Sequence, residues 1–266
     1  MENGMKLRER MTGWELLGLG IAGLATFFGL WSIAAVAGLA PPQFLPPPWE
    51  VARKFVELTH EPFVGYTLQQ HLLSSFGRFG MGFGLAVVIG VPLGLAMGWF
   101  RSLDMIVSPL FDALRFVAPI AWVPFAALWF GTGIGGPVLV IFTGAFPPCV
   151  INTYRGARYV EPHLIEAART LGAGNRQIML EVLLPASVPS IVAGLRVSAG
   201  LAWQSLVGAE LIVASSGIGY LLVKGQANIS TSIVMSGMIA IGIIGFTIDA
   251  LLQRLQRRIQ RRRGRG

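Results

Sequence analysis

Long apolar stretches without charge restrict the fold of this chain more than any other feature. Only 13% of the 266 residues are charged, and they cluster, so that several long segments carry no charge. An average soluble domain has about 25% charged residues, because its surface elements need a side that faces water. A bilayer instead requires helices of about 20 mostly apolar residues. The pattern therefore predicts an all-α membrane protein that crosses the bilayer several times.

Six segments are long and apolar enough to form transmembrane helices, at about 15–39, 73–100, 106–130, 134–154, 189–213 and 233–252. Their apolar runs are continuous rather than alternating, which favours helices over the strands of a membrane barrel. The basic N-terminus resembles the start of a signal peptide, but the apolar stretch after it is too long for one. We therefore interpret that stretch as a retained helix, and residues 14–253 as one transmembrane domain. Small residues predict tight helix contacts in the second segment, at Gly80, Gly82, Gly84 and Gly90.

The distribution of basic residues predicts the orientation of the chain, because cytoplasmic flanks of membrane helices are enriched in Lys and Arg. With the N-terminal segment 1–13 inside, most basic residues fall on inner segments, namely Lys6, Arg8, Arg10, Arg101, Arg155, Arg158, Arg169, Arg176 and the seven arginines of the tail 254–266. The outer segments carry only Arg53, Lys54 and Lys224. Both termini are thus predicted to be cytoplasmic. The net charge of +8 would also suit a nucleic-acid-binding protein, but a basic tail directly after an apolar span is typical of a membrane flank.

Two polar segments between the spans stand out. The outer loop, at about 41–70, opens with several prolines and continues as a short amphipathic segment at 49–58. This segment is predicted to form a helix at the membrane surface. The inner loop, at about 155–185, precedes the fifth span and contains the most informative motif of the chain.

That motif reads EAA, three residues, Gly, nine residues and Val-x-Leu-Pro, which places it at Glu166, Ala167, Ala168, Gly172, Val182, Leu184 and Pro185. The pattern resembles the EAA loop of ABC importer permeases, EAA-x3-G-x9-I-x-L-P, with valine at the isoleucine position as its one departure. The alternative is an ordinary helical hairpin, since EAA alone is common in helices. Agreement over twenty residues, in the inner loop before the penultimate span, favours the permease.

The residue types of the motif suit a surface that docks on a partner protein. Pro162 fits the first turn of a short helix that extends to about residue 171. Within that helix, Ala167 and Ala168 allow close approach of a partner, and Glu166 supplies a charge for pairing with it. The resemblance implies that this is the coupling helix, which transmits closure of a separate ATPase to the membrane helices.

The second half of the motif is predicted to reverse the chain. Gly172 can adopt a positive φ and end the first helix. A second helix is expected at about 175–184, with Pro185 marking the turn into the fifth span.

Further runs of sequence resemble the nitrate, sulfonate, taurine and bicarbonate branch of these permeases, over nearly the whole chain: FLPPPWEV, GVPLGLAMGW, PIAWVPFAALWFGTG, GLRVSAGLAWQSLVGAELI and SSGIGYL. The resemblance implies the type I importer permease fold. It also implies a homodimer with two ATPase subunits and a periplasmic or lipid-anchored solute-binding protein. The implied solute is a small oxyanion such as nitrate, a sulfonate, taurine or bicarbonate. Some members of the branch carry aromatic acids or vitamin precursors, so the solute stays open.

Three residues of the fifth span recur every seven positions and fall on one stripe of a helix: Arg196, Trp203 and Glu210. Charged groups in lipid usually face a bundle interior or a water-filled path, so this stripe, with Gln204 beside it, is a candidate lining of the translocation pathway. The alternative is that the two charged residues extend to opposite membrane surfaces. At 1.5 Å per residue they are about 21 Å apart and cannot pair with each other.

The third span contains two further pathway candidates, Arg115 and Trp122. Asp112 lies three residues before Arg115, so the two can form a local ion pair, which is a structural alternative to a pathway role. Trp122 lies in the run PIAWVPF, whose prolines indicate an irregular helix. The alternative for Trp122 is ordinary packing.

The chain shows no catalytic or cofactor signature. It has no P-loop of the form GxxxxGK[ST], since the run GTGIGG at 131–136 lacks the lysine, so ATP hydrolysis is expected on a separate subunit. Its histidines are far apart in sequence and its single cysteine lies in an apolar run, so no metal site is expected. The competing interpretations are an ion-driven secondary transporter or channel and a membrane-embedded enzyme. The first often has paired repeats, and the second needs clustered His, Asp or Cys; neither pattern is visible.

Overall fold

The structure, a computed structural model, describes residues 13–41, 43–131 and 133–263. Within these ranges the chain is helical, and the one β contact recorded is an isolated bridge between Phe63 and Tyr66. The predicted cytoplasmic segment 1–13 lies outside the described residues except for Gly13.

The described part of the chain forms eleven α-helices, a short 3₁₀ helix and a π-helical segment. In chain order these are α1 (Gly13–Val36), α2 (Pro48–His60), α3 (Leu68–Trp99), α4 (Arg101–Leu114), the 3₁₀ helix (Pro119–Trp122), α5 (Val123–Phe130), α6 (Gly135–Arg158), α7 (Pro162–Thr170), α8 (Asn175–Gln177), the π-helical segment (Ile178–Leu183), α9 (Leu184–Val213), α10 (Ile218–Ala227) and α11 (Thr231–Arg263).

Five helical segments are long and apolar enough to cross a membrane, and a bent pair of helices adds a sixth when the two are counted as one span. The five are α1, α3, α6, α11 and the segment formed by α8, the π-helical segment and α9. The prediction of six spans is confirmed, but the prediction of one continuous helix over 106–130 is wrong. There α4 and the following helix meet at 87°. Because Pro119 disfavours helical backbone in the residue before it, Ala118 is extended at ψ 138° and breaks the span.

Helix α6 lies at the centre of the bundle, between α3 and α9. It runs parallel to α3, since Gly82 faces Ile141 and Gly94 faces Thr153 further along both helices. It runs antiparallel to α9, where Gly194 faces Asn152. A side chain at any of these glycines would collide with the facing helix, so small residues set the distance between the helices.

The glycines predicted to make tight contacts divide into two groups. Gly82 and Gly90 contact α6, whereas Gly80 and Gly84 face open space in the described chain. The division follows from the helical period, because residues at 80 and 84 lie on a different face of α3 from residues at 82 and 90.

The short amphipathic segment predicted at 49–58 forms a helix, α2. It buries Val51 and Leu58, and Leu58 joins Leu221 of α10 and Ile233 of α11 in one apolar cluster. Helix α1 packs lightly against this region, and its Trp31 Nε1 donates a hydrogen bond to the Pro46 carbonyl at 3.0 Å. Most of the surface of α1 is exposed.

Candidate coupling loop and translocation pathway

Helix α7 carries the EAA motif on an exposed turn between α6 and α9. Pro162 occupies its first turn, where a missing N–H costs nothing, and none of its residues is buried. Glu166 and Ala167 are exposed and Ala168 is half-buried. The helix thus presents its charged and small residues to whatever lies outside the bundle.

Gly172 ends α7 as the sequence predicts. Its φ is +83°, in the left-handed region that favours glycine. Its N–H donates to the Arg169 carbonyl at 2.9 Å, and the N–H of Ala173 donates to the Ala168 carbonyl at 3.0 Å. These two bonds form a Schellman motif, which satisfies carbonyls that the helix end leaves free.

The prediction for the second half of the motif is wrong in one respect. Pro185 does not mark a turn, because α8, the π-helical segment and α9 form one continuous helical segment, Asn175–Val213. A proline inside a regular α-helix loses a hydrogen bond and collides with the carbonyl four residues earlier. The wider π-helical turn directly before α9 relieves both problems, since its hydrogen bonds span five residues.

Helix α7, the turn after it and the helical segment that follows enclose a groove of about 240 Å³. It is lined by Ala168, Leu171, Gly172, Ala173, Gln177, Ile178, Glu181 and Val182. Leu171 is 88% exposed at its rim. The groove thus lies within the segment that carries the motif.

The predicted stripe on α9 does not form one accessible face. Trp203 and Glu210 are buried within the bundle, at 5% and 1% exposure, while Gln204 is exposed and Arg196 half-buried. Trp203 packs edge-on against Phe79 of α3, and its indole N–H donates to the Ile241 carbonyl of α11 at 3.2 Å. The seven-residue spacing places the three residues on one side of α9. It does not show which neighbouring helices cover that side.

Glu210 belongs to a buried polar cluster that the sequence did not reveal. Its carboxylate accepts hydrogen bonds from Arg78 at 2.7 Å, Ser75 at 2.8 Å and the Gly219 N–H at 3.0 Å. The side chains of Arg78 and Glu210 are 7% and 0% exposed. An arginine within an apolar span was the only signal available, and nothing in the sequence pairs it with a residue 132 positions away.

The same cluster holds the segment between α9 and α10. Arg78 also donates to the carbonyl and the hydroxyl of Ser216, and His71 Nδ1 accepts the Gly217 N–H at 3.1 Å. Gly217 has a φ of +109°, and a Cβ there would collide with the Glu210 carboxylate. We call Ser75, Arg78, Glu210, Ser216 and Gly217 the Glu210 cluster.

Arg196 forms a different ion pair, with Asp249 of α11. Its Nε and Nη2 donate to the two carboxylate oxygens at 2.6 and 2.8 Å, which is a bidentate arrangement. The two side chains are 32% and 51% exposed. They line a cavity of about 190 Å³ together with Trp203 and Gln204, so three predicted pathway residues meet there.

Arg115 and Trp122 lie on either side of the break between α4 and the 3₁₀ helix. Arg115 Nε pairs with Asp112 at 3.0 Å, as the local spacing predicts. Arg115 and Trp122 also line one cavity of about 180 Å³ with Phe111, Phe142 and Phe146, among other residues.

Comparisons with known proteins decide between the possible transporter classes. Residues 86–265 match the model of the family described as the binding-protein-dependent transport system inner membrane component. The chain belongs to this family. Family membership favours a binding-protein-dependent importer over an ion-driven secondary transporter.

Relatives at full length give the same result. The chain is 35% identical over 260 residues to the taurine transport system permease protein TauC of Escherichia coli (strain K12), covering 96% of this chain and 94% of the relative. It is 33% identical over 235 residues to the putative aliphatic sulfonates transport permease protein SsuC of Bacillus subtilis (strain 168), covering 88% and 84%. It is 31% identical over 264 residues to the bicarbonate transport system permease protein CmpB of Synechococcus elongatus, covering 96% and 93%.

The fold is also that of a solved importer. A chain of the MetNI methionine ABC transporter, in an inward-facing conformation, superposes with a TM-score of 0.64 at 19% identity, covering 72% of this chain and 95% of that chain. The predicted type I permease fold is thus confirmed. The protein is a multi-pass inner-membrane permease subunit of an ABC importer.

Proposed function

We propose that this permease moves a small oxyanion across the membrane, driven by a separate ATPase that docks on α7. The exposed α7, ended by the Schellman motif at Gly172 and followed by the groove, is the observation that supports docking. ATP hydrolysis belongs to that ATPase, because no P-loop is present in the sequence. No cofactor is needed for this role.

The assembly proposed is a homodimer of the permease with two ATPase subunits and an external solute-binding protein. The end of the bundle that carries α7 faces the cytoplasm, and both termini lie on that side. The positive charge of the inner segments supports this orientation, since Arg155, Arg158, Arg169 and Arg176 flank or lie within the coupling loop. Two ATPases closing on two α7 helices would change the angle between the permease copies.

The proposed solute class rests on the relatives and on charge. Relatives carry names for taurine, aliphatic sulfonates and bicarbonate, which are oxyanions or contain an oxyanion group. Four of the pathway candidates are at least partly exposed. Arg115 and Arg196 carry positive charge, and Trp122 and Gln204 are uncharged. We place these four residues on the pathway, and Trp203 and Glu210 directly behind it.

Purification of the tagged chain from native membranes tests the assembly first. Recovery of an ATPase and a solute-binding protein supports the proposal, whereas a chain that comes alone even after cross-linking contradicts it. Proteoliposomes built from the recovered proteins then test transport, with taurine as the first solute. Uptake should require ATP inside and the binding protein outside.

Two matched glycine variants test the coupling loop. Gly172→Val is expected to abolish ATP-dependent uptake and to reduce recovery of the ATPase, because a β-branched residue is strained at φ +83°. Gly174→Val is the control, since Gly174 has φ −73° and ψ 162° and faces open space. Glu166→Lys, on the exposed face of α7, should also lower uptake without loss of inserted protein. Equal uptake by the two valine variants would contradict the role of this loop.

A further inference from the structure

The break in the third span introduces non-helical backbone between two helices of one apolar segment. Helix α4 has 14 residues and is therefore about 21 Å long. The hydrocarbon core is about 30 Å thick, so a span that breaks directly after α4 has its break inside the core. The break comprises residues 115–118, after which the next helix turns away by 87°. We call residues 115–118 the elbow.

Lipid is not a suitable neighbour for the elbow. Non-helical backbone at membrane depth occurs only where protein covers it or where it lines a water-filled cavity. The elbow is exposed in a single copy, with Phe116 78% accessible. Arg115, the first residue of the elbow, pairs with Asp112; their side chains are 35% and 62% exposed, and charged groups facing lipid are costly. The elbow therefore faces the aqueous path between the two copies of the permease.

Two cavities of different character meet at Arg115. The first, of about 180 Å³, has apolar walls formed by Phe111, Trp122, Phe142 and Phe146, with Phe142 and Phe146 stacked at 4.9 Å. The second, of about 260 Å³, is lined by polar groups that include Ser108, Asp112, Tyr154 and Arg155. Arg115 and Phe111 line both cavities.

The guanidinium of Arg115 retains unused hydrogen-bond donors. Asp112 pairs with its Nε, and the ring of Phe116 lies 4.8 Å from its central carbon. Across the described residues, its two terminal amino groups have no hydrogen-bond partner. A planar pair of N–H donors matches the oxygens of a sulfonate or a carboxylate. The lining of the polar cavity contains two arginines and one aspartate, which leaves one positive charge for an anion.

We propose that the elbow is a solute-binding site that takes an organic oxyanion, a sulfonate or carboxylate with a compact apolar group. The oxyanion binds the terminal amino groups of Arg115, and the apolar group enters the aromatic cavity. A dry cavity of about 150 Å³ is large enough for benzene, so this one admits a six-membered ring or a short alkyl chain. Inorganic oxyanions such as bicarbonate lack a group that fills it. The inference rests on the proposed function, because it places the site on the transport pathway.

Direct binding to the purified permease–ATPase complex in lipid nanodiscs tests the proposal. Titration calorimetry with benzenesulfonate and with sulfate, without nucleotide or binding protein, compares an organic and an inorganic oxyanion. Benzenesulfonate should bind about tenfold more tightly than sulfate, which has no apolar group to bury. Equal affinities, or no benzenesulfonate binding, would overturn the assignment.

Variants separate the two parts of the site. Arg115→Gln should weaken binding of both anions by about tenfold, as expected for loss of a charge-assisted hydrogen bond. Trp122→Ala should weaken benzenesulfonate alone, and Asp112→Asn should tighten both anions. Arg53→Gln, in the outer loop, is the matched control. Unchanged benzenesulfonate binding in Arg115→Gln would also overturn the assignment.

Uptake measurements keep the two proposals distinguishable. If the wild-type importer takes up taurine with ATP but the complex binds no benzenesulfonate, the elbow site is refuted and the transport function stands. If ATP drives no uptake of any of these anions, the proposed function itself fails. Variant complexes are compared only after they elute as intact permease–ATPase assemblies, so that loss of folding is not mistaken for loss of binding.

Discussion

Two ion pairs of opposite character connect α9 to its neighbours, one near its C-terminal end and one near its middle. Near the C-terminal end, Glu210 and Arg78 are buried, and the Ser75 hydroxyl and the Gly219 N–H donate to the same carboxylate. Near the middle, Arg196 and Asp249 form a bidentate pair that stays partly exposed beside a cavity. A buried pair is costly to separate, whereas an exposed pair exchanges readily with water. The contact near the C-terminal end of α9 is therefore the more strongly held of the two.

Loss of the buried carboxylate should have the largest effect on stability. Glu210→Ala leaves Arg78 buried without its partner, so we expect a loss of about 3–5 kcal/mol in the free energy of unfolding. Thermal denaturation of the purified permease in detergent measures it. The double variant Arg78→Met, Glu210→Gln removes both charges and should recover part of the loss. If Glu210→Ala were as stable as the wild type, the distinction between the buried and the exposed ion pair would be lost.

Gly217→Ala should have the next largest effect. Alanine is strained at φ +109°, and its Cβ would collide with the Glu210 carboxylate. Strain of this kind costs about 1–3 kcal/mol. Gly200→Ala is the control on α9, since Gly200 lies in helical backbone and faces open space. Equal melting temperatures for the two variants would indicate that the Glu210 cluster tolerates movement of the loop.

The exposed pair of Arg196 and Asp249 should contribute least to the stability of the permease. Asp249→Asn should lower the melting temperature only slightly, and the difference from the wild type should shrink at high salt, since exposed charges are screened. The double variant Arg196→Asp, Asp249→Arg reverses the pair and should restore the melting temperature that either single reversal lowers. If Asp249→Asn lowered stability as much as Glu210→Ala, the two ion pairs would hold α9 equally strongly.

The sequence predicted local features better than contacts between distant residues. The spacing of Asp112 and Arg115 predicted their ion pair, and the position of Gly172 predicted the end of α7, because both depend on neighbours within one helical turn. The partner of Glu210 lies 132 positions away and depends on how α3 packs against α9, which no local spacing encodes.

The two errors in helix prediction have a related cause. Pro185 was expected to end a helix, but a π-helical turn before it accommodates the ring. The third span was expected to be continuous, but Pro119 breaks it. Both prolines lie within apolar, helical sequence, so the outcome depends on the backbone that surrounding helices support. The EAA motif and the six spans could be predicted, since composition and spacing determine them.

The glycine contacts of α6 limit how one copy of the permease can move. Gly82 and Gly94 of α3 and Gly194 of α9 each receive a side chain of α6 at the distance of a missing methyl group. Sliding either helix by one residue would bring larger side chains into these positions. The three helices therefore keep their register and move as one unit.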